Sequence, residues 1–248
     1  MKSIVKYFTR VEFQNYPQDK GNKQTGIYAL FYLIYIAMVI YLFGLLKYRT
    51  DYIDRFSVNF SNELIFKVVI YICISILELS PLLFLLKTRR ERVQTIGLIS
   101  SNITSSIVLG IIGGLPFTYW LIRDLILHKR NLQLEGANLW LEFLVIFMFT
   151  ALTEELIFRG YIQSRVIGLI SNKYAAILLI GILFAFMHIP FQMSMVNMNF
   201  MEYLITNRMY MIQLFYMHIY FVYLYTRNHN ILTPIISHAI IDYFQIYM

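Results

Sequence analysis

Apolar residues run along this chain in long unbroken stretches rather than alternating with polar ones. From Ile27 to Leu46, twenty consecutive residues carry no charge. At about 1.5 Å per residue, a helix of that length crosses roughly 30 Å of hydrocarbon. Similar stretches run from Val68 to Leu86, Ile103 to Ile122 and Leu139 to Phe158. Shorter ones run from Tyr174 to Ile189, Met209 to Tyr225 and Ile231 to the C-terminus. The pattern predicts an all-α fold, a polytopic transmembrane helical bundle of about seven spans, with six to eight compatible. Gly113-Gly114-Leu115-Pro116 marks a candidate helix break in the third stretch. Gly110 and Gly114 have the GxxxG spacing that suits close helix packing.

Composition sharpens this picture. The 248 residues are 58% hydrophobic and only 14% charged, where an ordinary soluble domain carries about 25% charge. Soluble enzymes, disordered chains and disulfide scaffolds are excluded, and Cys73 as the single cysteine rules out an internal disulfide or a thiol metal cluster. The net charge of +7 sits in short loops, so it reads as topology-setting and headgroup-facing charge, with no nucleic acid as partner. Residues 1–26 are polar and basic, a cytoplasmic N-terminal segment. The loops on that side carry more Lys and Arg than the opposite set, chiefly through Lys87-Thr88-Arg89-Arg90-Glu91-Arg92, which favours a cytoplasmic N-terminus. Residues 27–138 read as N-terminal transmembrane helices, and residues 139–248 hold the candidate chemistry.

An ionisable side chain inside a span costs a few kcal/mol even on lenient insertion scales, so each one is a functional candidate. In Thr153-Glu154-Glu155-Leu156-Ile157-Phe158-Arg159-Gly160, adjacent glutamates diverge around a helix. Glu155 and Arg159 are four apart with the acid first, the favourable order for a structural ion pair, which leaves Glu154 for chemistry. Phe184 and His188 share one face of the next span, and His238 and Asp242 share one face of the last. A glutamate, two histidines and an aspartate on three apolar helices offset their burial by converging, and a converged set can bind and deprotonate water. The remaining candidates read as structural: Glu78 before Pro81 as the cap of a kink, Glu142 as interfacial, His218 as packing, His128 and His229 as loop residues. Residues 190–208, with Gln192, Asn197, Asn199 and Asn207 among methionines, read as a pliable gate.

Glu-Glu-x-x-x-Arg (Glu154, Glu155, Arg159), Phe-x-x-x-His (Phe184, His188) and His-x-x-x-Asp (His238, Asp242), in this order on late spans, resemble the CAAX-protease and bacteriocin-processing family of intramembrane endopeptidases, the Abi group. The match covers residues 139–248, with Asp242 standing where many members have Asn. The resemblance implies that Glu154 and His188 activate a water for attack on a peptide carbonyl. His238 and Asp242 would then stabilise the oxyanion or join Glu154 and His188 in holding a metal such as Zn²⁺. Both metalloprotease and glutamate-protease chemistry are open. The chain contains no His-Glu-x-x-His helix, Gly-x-Ser-x-Gly elbow, Gly-x-Gly-Asp pair or Walker A sequence.

The expected substrate is a hydrophobic peptide or membrane protein, and the expected setting is a bacterial plasma membrane, given an Ile, Asn, Lys, Tyr and Phe-rich composition typical of an AT-rich genome. Peptide maturation, bacteriocin immunity and signalling are the roles the resemblance suggests. The alternative is a non-proteolytic membrane scaffold or immunity protein that keeps the motifs as structure. The presence of all four candidate positions favours the enzyme.

Overall fold

The computed structural model describes residues 9–13, 23–128, 139–170, 172–196 and 198–245. Most of the N-terminal segment, the stretch 129–138, Asn197 and the side chain of His128 lie outside the described residues. Among the described residues the chain is helical and holds no strand, as the apolar pattern predicts. Helix α1 is Lys23–Tyr48, α2 Tyr52–Ser57, α3 Glu63–Thr88 and α4 Ile103–His128. A single helical run follows, in which α5 (Leu139–Val145), α6 (Leu152–Glu155) and α7 (Ser164–Leu169) are joined by wider π-turns at Ile146–Ala151 and Leu156–Gln163. Helices α8 (Lys173–Val196), α9 (Phe200–Thr206), α10 (Arg208–Asn228) and α11 (Leu232–Gln245) complete the chain.

Helices α1, α3 and α8 are long and apolar enough to cross a membrane. Large side chains such as Phe31, Met38, Leu83 and Phe84 point outward from them, an arrangement that water penalises and lipid solvates. The candidate break at 113–116 is not a break: α4 runs through Pro116, as α3 runs through Pro81 and α8 through Pro190. A proline removes one backbone hydrogen bond, but leaving the helix inside hydrocarbon would orphan many more. Thr118 Oγ1 donates to the Leu115 carbonyl at 2.8 Å in that turn. Residues 190–208 are likewise largely helical, and Asn199 and Glu202 close a capping box at the start of α9.

The chain divides into two compact units, one of residues 1–17, 91–160 and 221–248, the other of residues 18–90 and 161–220. In the first, α11 packs chiefly on α4. The GxxxG spacing makes this approach possible. A Cβ at Gly110 would stand 2.7 Å from Ile236 Cβ and 2.8 Å from the Thr233 carbonyl, and one at Gly114 would stand 2.8 Å from Ile240 Cγ2. The other face of α11 lies on the run from Leu139 to Glu155. In the second unit, α1 packs against α7 and α8. Gly26 meets Leu169 and Gly44 meets Ser194 where the helices touch. Glu78 is buried in this unit, and its carbonyl accepts a hydrogen bond from Tyr32 Oη.

Candidate active site

In the first unit, α6 carries Glu154 and Glu155, the π-turn after it carries Arg159, and α11 carries His238 and Asp242. Glu155 Oε1 accepts from Arg159 Nη1 at 2.8 Å and from His238 Nδ1 at 2.8 Å. On the far side of the ring, His238 Nε2 lies 3.2 Å from Asp242 Oδ2. Glu155 and Arg159 have no side-chain exposure, His238 has 7% and Asp242 28%. The four side chains form a line from a sealed interior to a partly open edge. Phe221 walls it on one side, stacked on the His238 ring at 4.7 Å with the Arg159 guanidinium 4.9 Å from its centroid. A neutral imidazole has one N–H, so both His238 contacts are donated only when the ring is an imidazolium. In the neutral ring one nitrogen donates and the other has no proton to give.

The local backbone explains how Glu155 reaches two partners. A regular helix would place Glu155 and Arg159 on one stripe and stop there. The π-turns on both sides of Leu152–Glu155 widen the helix and redirect the side chains next to them. Gly160 follows, and a Cβ there would lie 2.7 Å from the Ile96 carbonyl, so only glycine lets the chain pass. Glu154, on another face of the same short helix, is half-buried, and its Oε2 is shielded from solvent with no hydrogen-bond partner.

The second unit holds its own cluster. His188 Nδ1 lies 2.9 Å from the Phe184 carbonyl. A carbonyl only accepts, so Nδ1 carries the proton and Nε2 of the neutral ring presents a lone pair. The Phe184 ring meets His188 edge-on at 4.8 Å and His218 at 5.5 Å. His218 is fully buried, and its Nε2 lies 2.9 Å from Oε1 of the equally buried Gln163.

The structure thus brings Glu155, Arg159, His238 and Asp242 together in one unit and pairs Phe184 with His188 in the other. Sequence reasoning missed three features. It took Glu155 as a partner of Arg159 alone, it did not single out Phe221 or Gln163, and it passed over His229 as a loop residue. A buried glutamine or phenylalanine carries no periodic signal of its own. The link from Glu155 to His238 spans 83 positions, beyond any local spacing rule.

Among the described residues, no three His, Cys, Asp or Glu side chains are gathered as metal ligands. Both ring nitrogens of His238, one of the four candidate metal ligands, face carboxylates.

Residues 136–244 match the family model described as type II CAAX prenyl endopeptidase Rce1-like. This stretch, somewhat under half of the chain, is similar to the Rce1-like domains of the CAAX-protease family. No curated protein and no solved structure matches the chain. The domain's family is one of CAAX-type intramembrane endopeptidases, which act on membrane-embedded peptides or proteins. The apolar helices and the family together mark an integral membrane protein.

Proposed function

We propose that this protein hydrolyses a peptide bond in a hydrophobic or membrane-anchored substrate, with Glu154 as the general base. The observation that carries the reading is the contrast between adjacent glutamates. Glu155 Oε1 is committed to Arg159 and His238, whereas Glu154, half-buried on another face of the helix, lies outside that pairing; Oε2 of each glutamate is shielded and without a hydrogen-bond partner. The Glu154 carboxylate takes a proton from water, the hydroxide adds to the substrate carbonyl, and the resulting carboxylic acid returns that proton to the leaving amine nitrogen. The oxyanion formed on addition needs a donor. His238 Nε2–H supplies it at the open edge of the line, once Asp242 yields the 3.2 Å contact. Asp242, when ionised, is an acceptor only, so its part is to orient the ring. The role of His188 rests on the Phe-x-x-x-His motif. Its Nε2 lone pair suits it to accept or relay a proton.

The zinc alternative has one feature in its favour, the partnerless Glu154 oxygen, and a chelator decides it. Glutamate chemistry predicts that o-phenanthroline changes the rate by less than about twofold, whereas loss of a catalytic zinc removes a water-activating centre.

A peptide pheromone or bacteriocin precursor in a bacterial plasma membrane is the substrate class we favour. The test compares, by mass spectrometry, membrane-peptide termini from cells making the wild type and Glu154→Gln at matched levels. A terminus present only with the wild type supports the endopeptidase and identifies its substrate. Identical termini, with a cellular phenotype rescued equally by both, would establish the scaffold or immunity reading instead.

A further inference from the structure

A polar cavity of about 350 Å³ lies in the first unit at the end of α10, well along the chain from the glutamate motif. Its lining includes Arg10, Asn102, Ser105, Arg227, Asn228 and His229. These residues come from three separate stretches: a segment preceding α1, the start of α4, and the turn joining α10 to α11. Two guanidinium groups, an imidazole, two amides and a hydroxyl face one space, all groups able to donate to an anion.

Three observations show that the lining is held in place. The Arg227 guanidinium stacks over Tyr223 at 4.3 Å, with Nε donating to the Tyr223 carbonyl at 3.2 Å and Nη2 donating to Thr226 Oγ1 at 3.1 Å and to the Arg10 carbonyl. The Asn228 amide donates to Ser106 Oγ at 2.7 Å, and its oxygen accepts from Thr233 Oγ1 at 3.0 Å. Asn102 and His229 both adopt left-handed backbone, at φ 61° and 59°, two of three such non-glycine residues among those described. Asparagine and histidine take that conformation more readily than most other side chains, and here it fixes the two turns that border the cavity.

The charge is not wholly free, since Arg10 also pairs with Glu12. Burial chiefly, then Arg10 and Arg227 against the opposing Glu12, holds the His229 imidazole below its ordinary pKa. An arriving anion would relieve that positive field. In a chain whose helices cross a bilayer, helix ends stand at headgroup level, where phospholipid phosphates are the abundant anions.

We infer that this cavity binds a phosphate group, most naturally the phosphodiester of an anionic phospholipid headgroup. Guanidinium forks match phosphate oxygens in pairs, and the space exceeds what a bare phosphate fills, leaving room for the ester-linked part of a headgroup.

The test uses the full chain in a neutral maltoside detergent free of phosphate. It is titrated calorimetrically with dioctanoyl-phosphatidylglycerol and, separately, with inorganic phosphate. The wild type is expected to bind the lipid at one saturable site. Arg10→Gln and Arg227→Gln should each raise its Kd by about tenfold, the scale of losing one charge-assisted pair, while Arg208→Gln, an exposed arginine at the start of α10, leaves it unchanged. Arg10 is partly exposed, so its variant tests the site even if Arg227→Gln fails to fold. Inorganic phosphate that binds as tightly and displaces the lipid would uphold the phosphate site and assign it to the soluble ion. No saturable binding of either, or binding unaltered in Arg10→Gln, would overturn the inference.

Discussion

Glu155 Oε1 serves two buried donors at once, and Arg159 has no exposed surface at which water could replace it. Removing one member of a buried charged network leaves the others uncompensated, at a cost of about 3–5 kcal/mol. Glu155→Ala should therefore lower the thermal midpoint sharply and reduce the amount of monodisperse protein recovered in detergent. Glu154 has the opposite profile. Its Oε2 has no hydrogen-bond partner to lose, and glutamine is nearly isosteric. Glu154→Gln should leave the melting curve unchanged while hydrolysis falls by about 10²–10⁴-fold, the usual contribution of a general base. Similar melting curves for both variants would place the two glutamates in the same structural role and remove the basis for choosing between them.

At the scale of helices, the position of His238 depends on how closely α11 can lie on α4. Gly110 meets a backbone atom, the Thr233 carbonyl, as well as Ile236, so no side-chain adjustment makes room for a methyl group. Gly110→Ala should cost about 1–3 kcal/mol, the ordinary penalty for overpacking. It should also displace α11, and with it the His238 contact to Glu155. The expected result is a fall in activity greater than the loss of folded protein explains, read as turnover per folded molecule. Trimming Ile236 to alanine in the same chain should not restore it, because the Thr233 carbonyl remains. The π-turns around Leu152–Glu155 act at this scale too, since they aim Glu155 at α11 without unwinding the helix.

Across the whole molecule, the Rce1-like stretch is not a self-sufficient body. Helix α4, the main partner of α11, precedes it, and so does α1, the partner of α7 and α8. Residues 139–248 made alone should fail to accumulate as folded protein, and co-expression with residues 1–138 should rescue them. Recovery of active protein from 139–248 alone would refute this. The basic loop at 87–94 predicts topology: in a Cys73→Ser background, Arg92→Cys should react with an impermeant maleimide only after the inner face is opened. The turn at His229 predicts a pH response. A base whose pKa falls on folding is protonated more readily in the unfolded chain, so folding loses stability as the pH drops below the ordinary value of 6.5. His229→Asn, which tolerates the left-handed backbone, should flatten that part of the stability curve.

The sequence by itself determined the membrane setting, the helical class and the two short-range pairs. Long uncharged runs have few solutions in lipid other than helices, and positions four apart share a helix face whatever the fold around them. Glu155 with Arg159, and His238 with Asp242, were legible for that reason. Only the tertiary structure decided that Glu155 also grips His238 and that Phe221 walls the line they form. It also decided that Pro116 leaves α4 intact and that a loop histidine faces a basic cavity. Each of these depends on which helices lie side by side, and on how closely glycine lets them approach. Hydrophobicity drives helices into the bilayer without choosing their neighbours. That choice is made by surface shape and by buried polar groups that must find partners, and residues far apart in the chain meet only after it has been made.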